Sequence, residues 1–312
     1  MRTRPTLSWR PSGDPLPRTT SLDEVAAIVG GGGVVVLSGA GLSTESGIPD
    51  YRGVTGSLRR HTPMTYQEFV GSEHARRRYW ARSHLGWRTI ARARPNAGHR
   101  AVTALRAAGL VGGVITQNVD GLHHAAGTTD AVELHGSLDR VICLACRAPS
   151  PRADLDRRLR AANPHFSATT DRVNPDGDAD LADDDVRGFR IVPCRECGGV
   201  LKPDVVFFGE NVEPSRVRHC YRLVDEAAAL LVLGSSLTVM SGLRFVRRAA
   251  EAGTPVAIVN AGPTRGDRYA RVRVDLPLGR ALTALLARVT GGQGDTATPS
   301  ESADSDRGAP FS

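Results

Sequence analysis

The chain has 312 residues, of which 40% are hydrophobic, so it can enclose a sizeable core in one large domain with a smaller insertion. It has no run of eighteen apolar residues, and residues 1–18 are rich in Arg and Pro without an apolar signal region. These features predict a soluble cytoplasmic protein without a membrane partner. The net charge is +7, but Lys202 is the only lysine. We interpret this arginine bias as a trait of GC-rich coding sequence, so no specific nucleic-acid partner is predicted.

Four short apolar runs predict buried parallel strands, and each run ends at small or polar residues. These runs are Val34–Leu37, Gly113–Thr116, Ala229–Gly234 and Pro255–Asn260.

Helical patterns separate the runs, at His99–Ala108, Ser215–Ala228 and Gly242–Ala252. Alternation of strands and helices predicts an α/β fold, with a Rossmann-like parallel sheet and helices on both of its faces. Ligands of such sheets bind at the carboxyl ends of the strands.

Residues 141–200 break this alternation and contain two Cys-x-x-Cys pairs, so they are assigned to a smaller inserted zinc-binding module. The Rossmann-like domain would then comprise residues 21–140 and 201–290, with a helical insertion at about 54–95. The two ends, 1–20 and 291–312, are poor in apolar residues and are predicted to be disordered tails.

Four of the five cysteines form two pairs, Cys143-x-x-Cys146 and Cys194-x-x-Cys197, which are 47 residues apart. Two such pairs can present four thiolates to one tetrahedral Zn²⁺, and in a chain without a secretory signal this outranks disulfides. Four thiolates leave no open position, so the predicted zinc is structural. A redox role would suit one pair alone. Cys220 lies in a helical pattern and is interpreted as a small buried hydrophobe.

The first apolar run ends at a glycine turn, Gly39-Ala40-Gly41. Glycines at a strand end permit positive φ and a close approach of backbone N–H groups to phosphate oxygens, and the following helix adds its dipole. The turn alone is weak evidence for a dinucleotide site, because Thr44 occupies the third glycine position of the usual motif.

Further motifs follow this turn in a fixed order, and together they make it specific. They are residues 39–52, 116–120, His135-Gly136, the two cysteine pairs, 202–210, 234–236 and Asn260. This ordered set resembles the signature of the sirtuins, NAD-dependent protein-lysine deacylases, over roughly residues 22–288. Within that family the chain is most similar to the bacterial members of class II, through residues 78–82, 95–99 and 202–210.

The resemblance implies that NAD lies across the carboxyl edge of the sheet. Its diphosphate would lie near the glycine turn and two serine hydroxyls, its nicotinamide ribose near the 117–120 segment, and its adenosine ribose near Asn260. The implied cofactor-binding residues are Gly39, Ala40, Gly41, Ser43, Asp50, Tyr51, Arg52, Gln117, Asn118, Asp120, Gly234, Ser235, Ser236, Asn260, Ala261 and Gly262.

The resemblance also implies a catalytic set of His135, Asn118 and Asp120. The oxygen of an acyl-lysine would attack C1′ as nicotinamide leaves, with His135 as general base on a ribose hydroxyl. The products would be lysine, nicotinamide and O-acyl-ADP-ribose, and the partners acyl-lysine proteins. A merely buried histidine is the alternative for His135, but its place before Gly136 and the first cysteine pair outweighs it. His123 is interpreted as support near the site and His124 is given no role.

Two substrate elements are implied. The apolar residues 205–208 form a predicted strand that is either core or pairs with the substrate peptide, with Val205 and Phe207 as walls of the acyl-lysine tunnel. Tyr79 and Arg82, spaced i, i+3 on a predicted helix, could bind the carboxylate of a succinyl, malonyl or glutaryl group, as in related sirtuins. An exposed arginine on a solvated helix is the alternative.

Two other functions stay open at the level of sequence. One is mono-ADP-ribosyl transfer from the same NAD site, and the other is a non-catalytic zinc module that senses NAD. Loss of His135 or Asn118 would have favoured the second, and both are present.

Overall fold

The computed structural model describes residues 19–52, 63–170 and 173–291. The predicted tails therefore lie almost entirely outside the described residues, as does part of the predicted helical insertion. Thr19, at the end of the first predicted tail, is paired: its backbone N–H donates to Arg273 O at 3.2 Å and its carbonyl accepts from Asp275 N at 3.1 Å.

The described chain contains strands and helices in alternation over much of its length. The strands are β1 Val34–Ser38, β2 Val111–Thr116, β3 Val132–Glu133, β4 Gly136–Cys143, β5 Pro149–Pro151, β6 Leu201–Val205, β7 Ala229–Leu233, β8 Val256–Val259 and β9 Val272–Val274. The α-helices are α1 Asp23–Gly30, α2 Tyr66–Gly71, α3 Glu73–Arg92, α4 Ala97–Ala107, α5 Leu122–Ala125, α6 Arg152–Ala162, α7 Asp183–Val186, α8 Pro214–Asp225, α9 Met240–Glu251 and α10 Leu278–Thr290.

Six strands form a parallel sheet in the order β3-β2-β1-β7-β8-β9. Every residue of β1 is buried, as its unbroken apolar sequence predicts for a strand covered on both faces. The four predicted strands are confirmed with ends shifted by one or two residues, whereas β3 and β9 were not predicted. The order is that of a Rossmann-like sheet, so the predicted α/β fold is confirmed.

Alternate residues of the strands point to opposite faces and bury two helical layers. Val34 and Val36 of β1 pack in the cluster formed with α1, α4 and α10. Val35 and Leu37 pack in the cluster formed with α8 and α9, which also contains Cys220 with no exposed surface. The prediction that Cys220 is a buried hydrophobe is thus confirmed, and both faces of the sheet are covered.

A second cluster of elements packs beside the sheet. Strands β5, β4 and β6 form an antiparallel sheet, and α2, α3, α6 and α7 share a separate apolar core with it. This sheet includes residues on both sides of the predicted 141–200 module.

The predicted strand at 205–208 is wrong, because β6 ends at Val205 and only an isolated bridge joins Phe208 to Thr65. A tight turn explains this, since Glu210 N donates to Phe207 O and the Glu210 carboxylate accepts from Phe207 N. The backbone of Phe207 is therefore not available to a ladder.

No helix in the described part of the chain is long and apolar enough to cross a membrane.

Candidate active site

The carboxyl ends of β1, β2, β7 and β8 lie side by side, because these strands are parallel and adjacent. The connection from β1 leads to β2 on one side, whereas the connection from β7 leads to β8 on the other side. The strand order therefore reverses between β1 and β7, which is the position where such sheets bind ligands. The Gln117 amide links three strand ends, since Nε2 donates to Ser38 O at 3.2 Å and to Ser235 Oγ at 2.9 Å.

The glycine turn after β1 packs directly on the loop after β7. Gly41 N donates to Gly234 O at 2.8 Å, and a Cβ on Gly39 would lie 2.8 Å from Ser235 Cβ. The expectation of positive φ is wrong for Gly39, whose φ is −138°, whereas Gly234 has a φ of 61°. The contact between the two loops is therefore what requires glycine here. A 3-10 helix, Ala40–Ser46, continues from the turn.

Asn118, Asp120 and Ser43 form one hydrogen-bonded group. Ser43 Oγ donates to Asp120 Oδ2 at 2.7 Å and accepts from Asn118 Nδ2 at 3.1 Å. Asn118 Nδ2 also donates to Gly39 O at 3.1 Å, and Leu122 N donates to Asp120 Oδ1 at 2.9 Å. Burial raises the pKa of Asp120, while the hydrogen bonds from Leu122 and Ser43 oppose this shift. The fold thus brings together three residues that the sequence predicts at the site.

His135 lies between β3 and β4, and both of its ring nitrogens have partners. Nδ1 is 2.9 Å from Gln117 O and Nε2 is 2.9 Å from Ser241 Oγ. The pKa of His135 is lowered to about 4, chiefly by burial and also by the cationic Arg216 and Arg244, whereas the hydrogen bond to Gln117 opposes this shift. The ring is therefore neutral near neutral pH. Sequence analysis did not identify Ser241, which belongs to none of the motifs.

The glycine after His135 has a structural reason. Gly136 has a φ of 83°, and a Cβ there would overlap the carbonyl of Asp204 on β6. A side chain at this position would push β4 away from β6 and displace His135 with it.

Two further histidines lie beneath the site. His123 is buried and its Nε2 is 2.9 Å from Ser38 Oγ, and its ring centre is 5.2 Å from that of His99. Burial lowers the pKa of His99 to about 4 and of His123 to about 3. These neutral rings pack under the end of β1. His124 instead lies 3.5 Å from Glu133, with a partly exposed side chain.

Asp50, Tyr51 and Arg52 follow the 3-10 helix and end the first described segment. Two buried guanidinium atoms of Arg52, Nε and Nη2, have no hydrogen-bond partner among the described residues. Burial lowers the pKa of Arg52 and raises that of Tyr51 well above its ordinary value. A buried guanidinium with free donors fits a site for a diphosphate group.

The loop after β8 is fixed by its own side chains and by a residue of the edge strand β9. Asn260 Nδ2 donates to Ala261 O at 3.1 Å and to Gly262 O at 2.8 Å, which leaves Oδ1 to accept from a ligand. Arg273 on β9 is almost fully buried and donates to Gly262 O at 2.6 Å. Sequence analysis did not identify Arg273. The Ser236 hydroxyl lies 3.0 Å from that of Thr238 in the loop after β7.

The predicted substrate residues Val205 and Phe207 are both buried, at 6% and 9% exposure. Between them, Val206 N donates to His135 O at 2.8 Å, so this segment is joined to the predicted base. The Phe207 ring centre lies 5.2 Å from that of Tyr79.

Tyr79 and Arg82 do not lie on a solvated helix face. Tyr79 is 3% exposed and packs against aromatic rings. Arg82 Nη2 donates to Leu181 O at 2.8 Å, and Nη1 is 3.9 Å from Asp178 Oδ2. The contacts of Arg82 with residues 178–181 were not expected from the sequence.

The four paired cysteines meet at one point. Their sulfur atoms all lie within 4.8 Å of one another, with Cys143 and Cys197 3.6 Å apart and Cys146 and Cys194 3.8 Å apart. Tetrahedral Zn–S bonds of about 2.3 Å place sulfurs about 3.8 Å apart, so the arrangement fits a structural zinc ion.

Both cysteine pairs use the same turn. Arg147 N donates to Cys143 O at 3.1 Å and Gly198 N donates to Cys194 O at 3.0 Å. The two donor residues have left-handed backbones, with φ of 63° and 73°. Equivalent turns therefore present the two pairs of thiolates.

Comparisons with known proteins agree with this geometry. The model of the Sir2 family matches residues 39–241. A protein named NAD-dependent protein deacetylase 1 from Streptomyces coelicolor is 67% identical over 298 residues, covering 96% of this chain and 100% of that protein. A protein of the same name from Mycobacterium avium is 52% identical over 257 residues, covering 81% and 90%. A solved Sir2 structure with a p53 peptide and NAD⁺ has 27% identity and a TM-score of 0.69, covering 88% of this chain and 99% of that one. The chain therefore belongs to the Sir2 family.

Proposed function

We propose that this chain is an NAD-dependent protein-lysine deacylase that removes acetyl groups and releases nicotinamide and O-acyl-ADP-ribose. The observation that carries the proposal is the neutral His135 ring at the carboxyl edge of the sheet, beside the Asn118–Ser43–Asp120 group. The names of the Streptomyces and Mycobacterium relatives support it.

The residues at this edge suit NAD. Two groups of residues would hold the diphosphate: the 39–41 turn with Ser235 and Ser236, and the Arg52 donors that have no partner among the described residues. Asn260 would accept from the adenosine ribose. Bound NAD supplies an electrophilic ribose carbon, from which nicotinamide departs, and a hydroxyl that takes over the acyl group.

His135 would act as the base toward that hydroxyl. A carbonyl oxygen only accepts hydrogen bonds, so the bond to Gln117 O fixes the ring proton on Nδ1. Nε2 is left as the basic atom, and the depressed pKa keeps it unprotonated. Asn118 and Asp120 would hold the nicotinamide ribose and carboxamide region.

Val205 and Phe207 would line the channel of the acyl-lysine, since they flank Val206, whose backbone N–H donates to His135 O. Tyr79, which touches Phe207, and Arg82 would extend that channel toward acidic acyl groups. The zinc-binding module at 141–200 would be structural, because its four thiolates complete the coordination of the metal.

The test is incubation with NAD and a panel of acyl-lysine peptides, followed by mass spectrometry. We expect O-acyl-ADP-ribose and free lysine from the wild type, and loss of both products in His135→Ala with NAD binding retained. His124→Ala is the matched control, because the side chain of His124 is 37% exposed and its ring lies 3.5 Å from Glu133. ADP-ribose attached to the peptide, or equal turnover by His135→Ala, would contradict the proposal.

A further inference from the structure

The base His135 has one lone pair that can take a proton, and that lone pair is covered. The bond from Nδ1 to Gln117 O fixes the ring proton on Nδ1 and the orientation of the ring. The hydroxyl of Ser241 lies 2.9 Å from Nε2 and therefore donates its proton to it. No other basic position is left on the ring.

The serine is held by the start of helix α9. Leu243 and Phe245 of this helix are buried against the sheet, at 1% and 0% exposure. Gly242 directly follows Ser241, and a Cβ on this glycine would overlap the side-chain amide of Gln117. The first turn of α9 therefore contacts both His135 and the residue whose carbonyl orients it.

We propose that Ser241 relays the proton in the acyl-transfer step, an inference that rests on the proposed function. Ser241 Oγ accepts the proton of the ribose hydroxyl while its own O–H bond breaks and that proton forms an N–H bond at His135 Nε2. The ribose oxygen is left as the nucleophile, Ser241 is again a neutral hydroxyl, and the positive charge resides on the imidazole. The Gln117 carbonyl stabilises this charge, whereas the cationic Arg216 of α8 and Arg244 of α9 disfavour it.

The experiment compares Ser241→Ala, which removes the hydroxyl, with Ser241→Thr, which keeps it. Release of nicotinamide precedes the step that needs the base, so exchange of labelled nicotinamide into NAD reports cofactor and peptide binding without the relay. We expect Ser241→Ala to slow O-acyl-ADP-ribose formation on the order of 100-fold with exchange retained, as for loss of general-base assistance. Ser241→Thr should recover most of the rate.

The matched control is Ser215→Ala, because Ser215 occupies the same second position of helix α8 but is exposed and bonds Glu213. It should leave both reactions unchanged. Nitrogen-15 NMR of the histidine rings gives a readout that needs no turnover: the Nε2 signal of His135 should shift in Ser241→Ala.

Full activity in Ser241→Ala would overturn the relay, since the serine would then only cover Nε2 at rest. Equal loss of exchange and acyl transfer would overturn it in favour of a structural role, and an unchanged Nε2 signal would overturn the contact itself. A wild type that exchanges nicotinamide but forms no acyl-ADP-ribose would refute the proposed function instead.

Discussion

Lys202 is the only lysine of this chain, and the fold buries it at 3% exposure. Its ammonium pairs with Glu210 Oε2 at 3.0 Å, donates to the carbonyls of Pro203 and Val205, and lies 4.6 Å from the Phe207 ring centre. We expect the folded protein to resist acylation of its own lysine by chemical acyl donors.

The size of this protection follows from the contacts. An acyl donor needs the free lone pair of a neutral amine, so Lys202 must first leave Glu210 and both carbonyls. Burial lowers the pKa of Lys202, which favours the neutral amine, but Glu210 opposes this. Breaking a buried ion pair costs about 3–5 kcal/mol, and about 3 kcal/mol already slows labelling on the order of 100-fold.

The assay treats folded and urea-unfolded protein with an acetylating reagent and follows the Lys202 peptide by mass spectrometry. Val200→Lys is the matched control, because Val200 lies two residues away on the surface at 37% exposure. The introduced amine should label at the rate of a free lysine peptide, while Lys202 labels at that rate only in urea. Equal labelling of Lys202 in the folded and unfolded protein would refute the reasoning.

Three other predictions concern the metal, the base and the acyl group. The purified protein should contain about one Zn²⁺ per chain, and Cys143→Ala should lower both zinc content and melting temperature, so zinc-free protein with a normal melting temperature would contradict the site. Because the pKa of His135 is lowered from 6.5 to about 4, kcat/KM should persist as the pH falls through 6.5 and decline only toward pH 4, and an acid limb at 6.5 would be inconsistent with a buried base. Arg82→Met should raise the activation free energy derived from kcat/KM by about 1.5–3 kcal/mol more for succinyl- or glutaryl-lysine than for acetyl-lysine. An equal loss on both peptides would show that Arg82 only supports the fold.

The sequence predicted the central sheet because those strands are buried on both faces and read as unbroken apolar runs. Strand β4 did not show this pattern, since it contains Asp139, which is exposed, and Arg140, which is half-buried. β6 contains Lys202, Pro203 and Asp204, which disfavour strands locally. Pairing between β4 and β6 stabilises both, and such tertiary pairing is not visible in either segment alone.

The residues of the site also divide into those that have a local sequence pattern and those that do not. Gln117, Asn118 and Asp120 were predictable because they follow a strand directly and belong to an ordered set of motifs. Ser241 lies 106 residues from His135, and Arg273 acts on the Gly262 carbonyl from an edge strand of three residues. Neither has a local pattern, because each obtains its role only from a contact made by the completed fold.

The most consequential contact of this kind lies over the predicted acyl-binding pair. A Cβ on Gly86 of α3 would overlap the Gly177 carbonyl. The segment 176–180, which contains Gly177 and three aspartates, therefore packs closely on the helix that carries Tyr79 and Arg82. Asp178 of this segment is 3.9 Å from the Arg82 guanidinium. An acyl carboxylate would therefore compete with a carboxylate already beside that arginine. The expected effect of Arg82→Met on acidic acyl substrates consequently lies nearer the lower limit, about 1.5 kcal/mol, than the value of a fully unpaired guanidinium.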